Sequence, residues 1–159
     1  MPTSTKNQKE IKRNSLLRHA SLPKDTRAVI LSYIQNKEIL EFLVSACKAL
    51  NISLLTDFAS QESVYIEWAD AFIADVLNKE LPISTLLKNQ VVPIIPLEED
   101  VKKNFSEFNP MKFEGNAFLF EQKTKYHVFE KLVRYVENIR YAGDKRTLLQ
   151  NIEKSEYKI

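Results

Sequence analysis

Short apolar runs rich in β-branched residues alternate along this chain with longer stretches whose apolar residues recur at helical spacing, and few folds accept that alternation. RAVILSYI (27–34), ISLLTDF (52–58), DAFIADV (70–76), VVPIIP (91–96) and AFLFEQ (117–122) are strand-length segments. Between them, NKEILEFLVSACKALN sets Ile39, Leu43, Ala46, Cys47 and Leu50 on one helical face, with Asn36 placed to cap it. SQESVYIEWA predicts a short helix capped by Ser60, and PISTLLKNQ a helix with Pro82 in its first turn, where a missing N–H costs nothing. TKYHVFEKLVRYVENIRY puts Phe129, Leu132, Val133, Val136 and Ile139 on one face, and DKRTLLQNIEK predicts a terminal helix. Apolar strands alternating with amphipathic helices predict a doubly wound (Rossmann-like) α/β domain. Its parallel sheet has about five strands flanked by helices, with core strands at 28–34, 70–75, 91–96 and 117–121. Residues 15–155 form this single domain, and ligands of such sheets gather outside the carboxyl ends of the strands. A short helix is expected over SLLRHASLPKDT, ending before Pro23.

Residues 1–14 are polar and basic (Lys6, Lys9, Lys12, Arg13) without apolar periodicity, so a flexible tail or linker is expected. A net charge of +2 over 159 residues gives no electrostatic case for nucleic acid. No run approaches the ~20 apolar residues that span a bilayer, and the N-terminus lacks a secretory signal. One cysteine, Cys47, excludes an intrachain disulfide, so a cytoplasmic protein is expected.

Chemistry is sparse. With glycine only at 115 and 143, no Gly-rich phosphate cradle exists. Cys47, His19 and His127 share no metal-ligand spacing. Neither a catalytic constellation, a metal site nor a cofactor is predicted. Glu98, Glu99 and Asp100 read as a solvated run, and Cys47 as a core thiol. Asp75 falls at the end of a strand, where α/β proteins place their chemistry. Lys37 and Lys79 fall at strand-to-helix junctions, within reach of a phosphate. Asp75 also supports an alternative, a receiver-like signalling domain with this residue as phosphoacceptor. The first strand, however, lacks the acidic pair that would hold Mg²⁺, and the last lacks a Lys-Pro, although Lys123 is near. The charged excursion 97–114 carries Phe105, Phe108, Met111 and Phe113; partial exposure there would suit a protein partner.

The order of the pieces KRNSLLRHASLP, AVILSYIQNKEILEFL, WADAFIADVLNKELPIST, LLKNQVVPIIP and GNAFLFEQKTKYHVFEKLVRYVENIRYAGDKRTLLQNI resembles one known domain. It is the C-terminal, nucleotide-sugar-binding half of the GT-B glycosyltransferases, and the likeness is greatest to glycogen and starch synthases. That resemblance implies donor-binding candidates at Lys37, Glu80, Ser84, Thr85 and Gly115, with ADP- or UDP-glucose as the donor. It also exposes departures. Tyr33 stands where the family has a phosphate-binding arginine, Glu38 and Gln90 replace glycines, and Lys79 and Glu80 occupy the places of a Glu-Gly pair. The segment between ALN and ESVYIEWAD is too short for the family's strand, Gly-rich segment and second strand. The resemblance thus implies a degenerate synthase-like domain, inactive alone, binding a nucleotide sugar weakly and acting as scaffold or interaction module. Its alternative is a nucleotide-sugar-dependent hexosyltransferase completed by a partner chain.

Overall fold

The computed structural model describes residues 21–157 together with Ile11, Asn14, Leu17 and Arg18. The expected basic tail and most of the helix expected before Pro23 lie outside the described residues. Five strands form one parallel sheet: β1 (Val29–Tyr33), β2 (Ser53–Leu55), β3 (Ala71–Ala74), β4 (Val92–Pro96) and β5 (Phe118–Phe120). They lie in the order β2-β1-β3-β4-β5, with Ile30 beside Ala71, Phe72 beside Pro93 and Ile94 beside Phe118. All of β3, β4 and β5, and all of β1 but Tyr33, are buried, so helices cover both faces as the unbroken apolar runs require.

The helices are α1 (Lys37–Ala49), α2 (Glu62–Trp68), α3 (Ile83–Lys88), α4 (Lys125–Ile139) and α5 (Ala142–Glu153). Asn36 caps α1, its side-chain oxygen accepting from the Ile39 N–H at 3.1 Å. Asn51 then turns left-handed (φ 58°), so that the Ile52 N–H reaches the Cys47 carbonyl at 2.9 Å. Gln90 does the same after α3 (φ 57°), with Val91 N–H on the Leu86 carbonyl at 3.0 Å. Where the resemblance has a glycine, the glycine's backbone conformation persists without the residue. None of the helices among the described residues is long and apolar enough to cross a membrane.

Two expectations for helices are corrected. Ser60 does not cap α2: it sits inside a 3₁₀ turn, Ala59–Gln61, and Gln61 precedes α2 without a side-chain cap. Phe58, buried at the start of that turn, anchors the chain first, and the helix begins only afterwards. On α4 the buried residues are Val128, Leu132, Tyr135 and Val136, while Phe129, Val133 and Ile139 are half-buried. The stripe is rotated toward Tyr135, whose ring packs 5.7 Å from that of Phe118.

Asp70, just before β3, ties the amino ends of the central strands. Its Oδ2 accepts from the Val29 N–H at 2.8 Å, and its own N–H donates to the Val29 carbonyl at 2.9 Å. The excursion after β4 closes the other side of the sheet. Phe105 and Phe108 are buried, contrary to their expected exposure, whereas Met111 (87% exposed) and Phe113 (69%) do face solvent. The two rings are buried because the excursion returns along the outer edge of β5: the Phe108 N–H donates to the Ala117 carbonyl at 2.9 Å. The Glu107 carboxylate accepts from the Leu119 N–H at 2.7 Å and from Lys131 Nζ at 2.8 Å. A strand edge is thereby covered that would otherwise offer free amides to another chain.

Gly115 belongs to this seam. Its φ is +92°, and a Cβ there would collide with the Glu107 carbonyl oxygen and sit 2.5 Å from the Phe108 Cα. Gly143, in α5, has open space where a Cβ would go. Gly115→Ala is therefore expected to destabilise the fold by ~1–3 kcal/mol or more, and Gly143→Ala to stabilise it by ~0.5–1 kcal/mol. Urea unfolding of the two variants checks both signs. Leu132→Ala, at a site with no exposure, should cost ~2–5 kcal/mol in the same experiment; a loss under ~1 kcal/mol would contradict this packing.

Candidate functional site

The strand order reverses direction between β1 and β3, so the crevice beyond their carboxyl ends is where a doubly wound sheet takes its ligand. Asp75, immediately after β3, fills it. The carboxylate is 3% exposed, and each oxygen accepts one backbone N–H: Oδ1 from Gln35 and Oδ2 from Asn36, both at 2.8 Å. Two consecutive amides converging on one carboxylate form an anion seat, and the anion in it belongs to the chain itself.

Beside this seat stands Tyr33, at the end of β1. Its ring meets Phe58 edge-on at 5.2 Å and Phe72 at 6.2 Å. Burial, then the negative charge of Glu62, holds its hydroxyl far above the ordinary ionisation range of a phenol. Although Glu62 draws on that hydroxyl, the oxygen makes no hydrogen bond of good geometry. At this position the end of β1 offers an aromatic ring and the Glu62 carboxylate rather than a cation.

The other sequence candidates are dispersed. Lys37 opens α1 at this end of the sheet, but it is exposed and lies 4.0 Å from Glu41. Lys79 and Glu80 are exposed in the loop after β3, where Asn78 Oδ1 accepts from the Glu80 N–H at 3.0 Å and the Leu81 N–H at 3.1 Å. Ser84 and Thr85 lie in the first turn of α3; Ser84 Oγ donates to the Tyr157 carbonyl at 3.2 Å, so the C-terminal segment lies against it. An open groove of about 500 Å³ runs there, lined by Ser84, Leu87, Lys88, Glu153, Ser155 and Tyr157. Gly115 leads into the amino end of β5, its carbonyl accepting from Asn151 Nδ2 at 2.9 Å. The structure thus brings Asp75 together with Gln35 and Asn36, and leaves Lys37, Glu80, Ser84, Thr85 and Gly115 with separate partners.

Cys47 is buried on α1, and burial alone pushes its thiol up to about 12, which keeps it protonated and unreactive at neutral pH. His127 Nδ1 pairs with Thr124 Oγ1 at 2.6 Å at the cap of α4. Among the described residues, no group of three His, Cys, Asp or Glu side chains could hold a metal ion. Two participants were not legible as site residues: the amides of Gln35 and Asn36. They lie about forty residues from Asp75, and only the pairing of β1 with β3 brings them to it.

No family model matches this chain, and no curated protein matches its sequence. Solved structures do match it in fold, eight chains in all. Among them is the catalytic domain of starch synthase IV from Arabidopsis thaliana, a structure bound to ADP and acarbose. That likeness has a TM-score of 0.71 at 14% identity, over 92% of this chain and 38% of the synthase chain. The fold is therefore similar to that of part of the starch synthase catalytic domain. The chain spans well under half of the solved protein it matches.

Removing the internal anion should be costly. Asp75→Ala removes the acceptor of two amides whose own residues, Gln35 and Asn36, are exposed; water replaces it in part, so the expected loss is ~1–3 kcal/mol, at ~0.5–1.5 kcal/mol per hydrogen bond, which chemical denaturation measures. Cys47 gives a pH signature. Its folded value is raised from 9.0 to about 12, so its contribution to stability is complete below pH 9.0 and is lost as pH rises toward about 12. Cys47→Ala should flatten the fall of stability with pH in that window, and identical slopes in both proteins would contradict the burial of the thiol.

Proposed function

We propose that this chain is a degenerate glycosyltransferase-like domain of the glycogen/starch synthase type, catalytically inactive on its own and serving as a scaffold or interaction module. The observation that carries the reading is Tyr33. At the place where the resemblance has a phosphate-binding arginine, the chain has a phenol packed against Phe58 and Phe72 with the Glu62 charge beside it. A nucleotide diphosphate needs cations and free amides at that end of the sheet. The sequence-derived cations at the cleft end are Lys37 and Lys79; both are exposed, and Lys37 lies beside Glu41. Each lost charged contact removes ~1.5–3 kcal/mol, about tenfold or more in affinity. The domain's working surface is then a protein contact, for which Met111 and Phe113 are the exposed apolar side chains of the excursion.

Calorimetric titration of ADP-glucose and UDP-glucose tests this. The expected result is binding no tighter than ~1 mM and no sugar transfer by the chain alone. Binding at ~10 µM or tighter, abolished by Lys37→Ala, would overturn it and favour a transferase completed by a partner chain.

A further inference from the structure

The seat at the switch point is occupied, and the nature of its occupant has a consequence. Asp75 presents two oxygens to two consecutive amides at 2.8 Å each, the same contacts that two oxygens of a phosphate would make. The Asn36 N–H is that of the cap residue of α1 and the Gln35 N–H lies one residue before it; the Asn36 side chain already serves the Ile39 N–H, and both of these earlier amides go to Asp75. The carboxylate is nine-tenths buried and more, and comes from the neighbouring strand across the crevice rather than from the loop it holds. A buried charge in such a position is retained only when its hydrogen bonds compensate its desolvation, so the two amides are built for an anion.

We propose that Asp75 is an internal phosphate substitute: its carboxylate is the residue-level determinant that excludes phosphoryl ligands from the β1–β3 switch point, and its removal converts the seat into a binding site for inorganic pyrophosphate and related diphosphates. This deepens the reading of a degenerate donor end and rests on it. The exclusion has two parts, both local. The carboxylate consumes the N–H groups a phosphate would use, and its negative charge repels any phosphate approaching from outside. Replacing it by a small neutral residue lifts both at once, and leaves the Gln35 and Asn36 amides free to donate to an outside anion.

The test compares the wild-type chain with Asp75→Ser by amide NMR, titrating sodium pyrophosphate at constant ionic strength with chloride as the control anion. In Asp75→Ser the Gln35 and Asn36 amides should shift saturably with pyrophosphate, with at least tenfold higher affinity than any wild-type response, and chloride should not reproduce the shift. No saturable shift at these amides in the folded variant overturns the proposal, as does equal affinity in the wild type or an equal response to chloride. A variant too unstable for spectra is read by thermal unfolding, since a ligand of the folded state raises Tm with its concentration. Pyrophosphate should then raise the Tm of Asp75→Ser and leave that of the wild type unchanged; a rise in both or in neither overturns the proposal. The difference between variant and wild type reports on Asp75 alone, whereas tight sugar-nucleotide binding by the wild type would overturn the functional reading above.

Discussion

Two aspartates bracket β3, and the centre of the fold hangs on them. Asp70 fastens the amino ends of β1 and β3 through Val29, and Asp75 fastens their carboxyl ends through Gln35 and Asn36. Between them the strands are paired from Ile30 with Ala71 to Tyr33 with Ala74. Backbone hydrogen bonds of a parallel pair fix register but not where the loops at its ends lie. A carboxylate that accepts from the loop of the neighbouring strand does fix it, and α1 starts from that fixed point. Here a side chain of the same chain, Asp75, accepts from that loop.

The same economy shapes the far side of the sheet. β5 is an edge strand of only three residues, and the excursion after β4 covers it with backbone pairing and the Glu107 carboxylate. Lys131 and Arg134 of α4 converge on that carboxylate at 2.8 and 3.7 Å, so helix, edge strand and excursion share one charge cluster. Asn116 extends the seam: its side chain accepts from the Ser106 N–H and donates to the Asn104 carbonyl and Ser155 Oγ. Asn151 adds donations to the Phe113 and Gly115 carbonyls from α5. The tip that carries Met111 and Phe113 is thus presented on a well-tied base, an arrangement that lowers the ordering cost of a contact made there.

The strands and helices were legible because apolar periodicity is a direct image of burial. VVPIIP could only be a buried strand, and the stripe of α4 could only face the sheet, to within a small rotation. The turn chemistry was less legible. Ser60 has the composition of a cap, yet Phe58 sets where the chain turns, and that depends on Tyr33 across the sheet. Phe105 and Phe108 lie in a charged segment that reads as solvated, and only their return along β5 buries them. Gly115 was conspicuous, but its reason is the backbone of Glu107 and Phe108 rather than a ligand. Asp75 was recognised as a residue at the correct end of a strand. Its partners are backbone amides, which carry no side-chain signature, so its role depended on knowing that β1 lies beside β3.

At the switch point the Asp75 carboxylate holds the Gln35 and Asn36 amides. Hydrogen exchange at the Gln35 and Asn36 amides tests it most directly, because amides bonded to a buried acceptor exchange only through opening. Both amides are expected to be strongly protected in the ligand-free chain, far more than the exposed loop amides around Lys79, and saturating ADP-glucose is expected to leave their rates unchanged. Exchange at the rate of an unstructured loop, or protection that appears only when ADP-glucose is added, would contradict it.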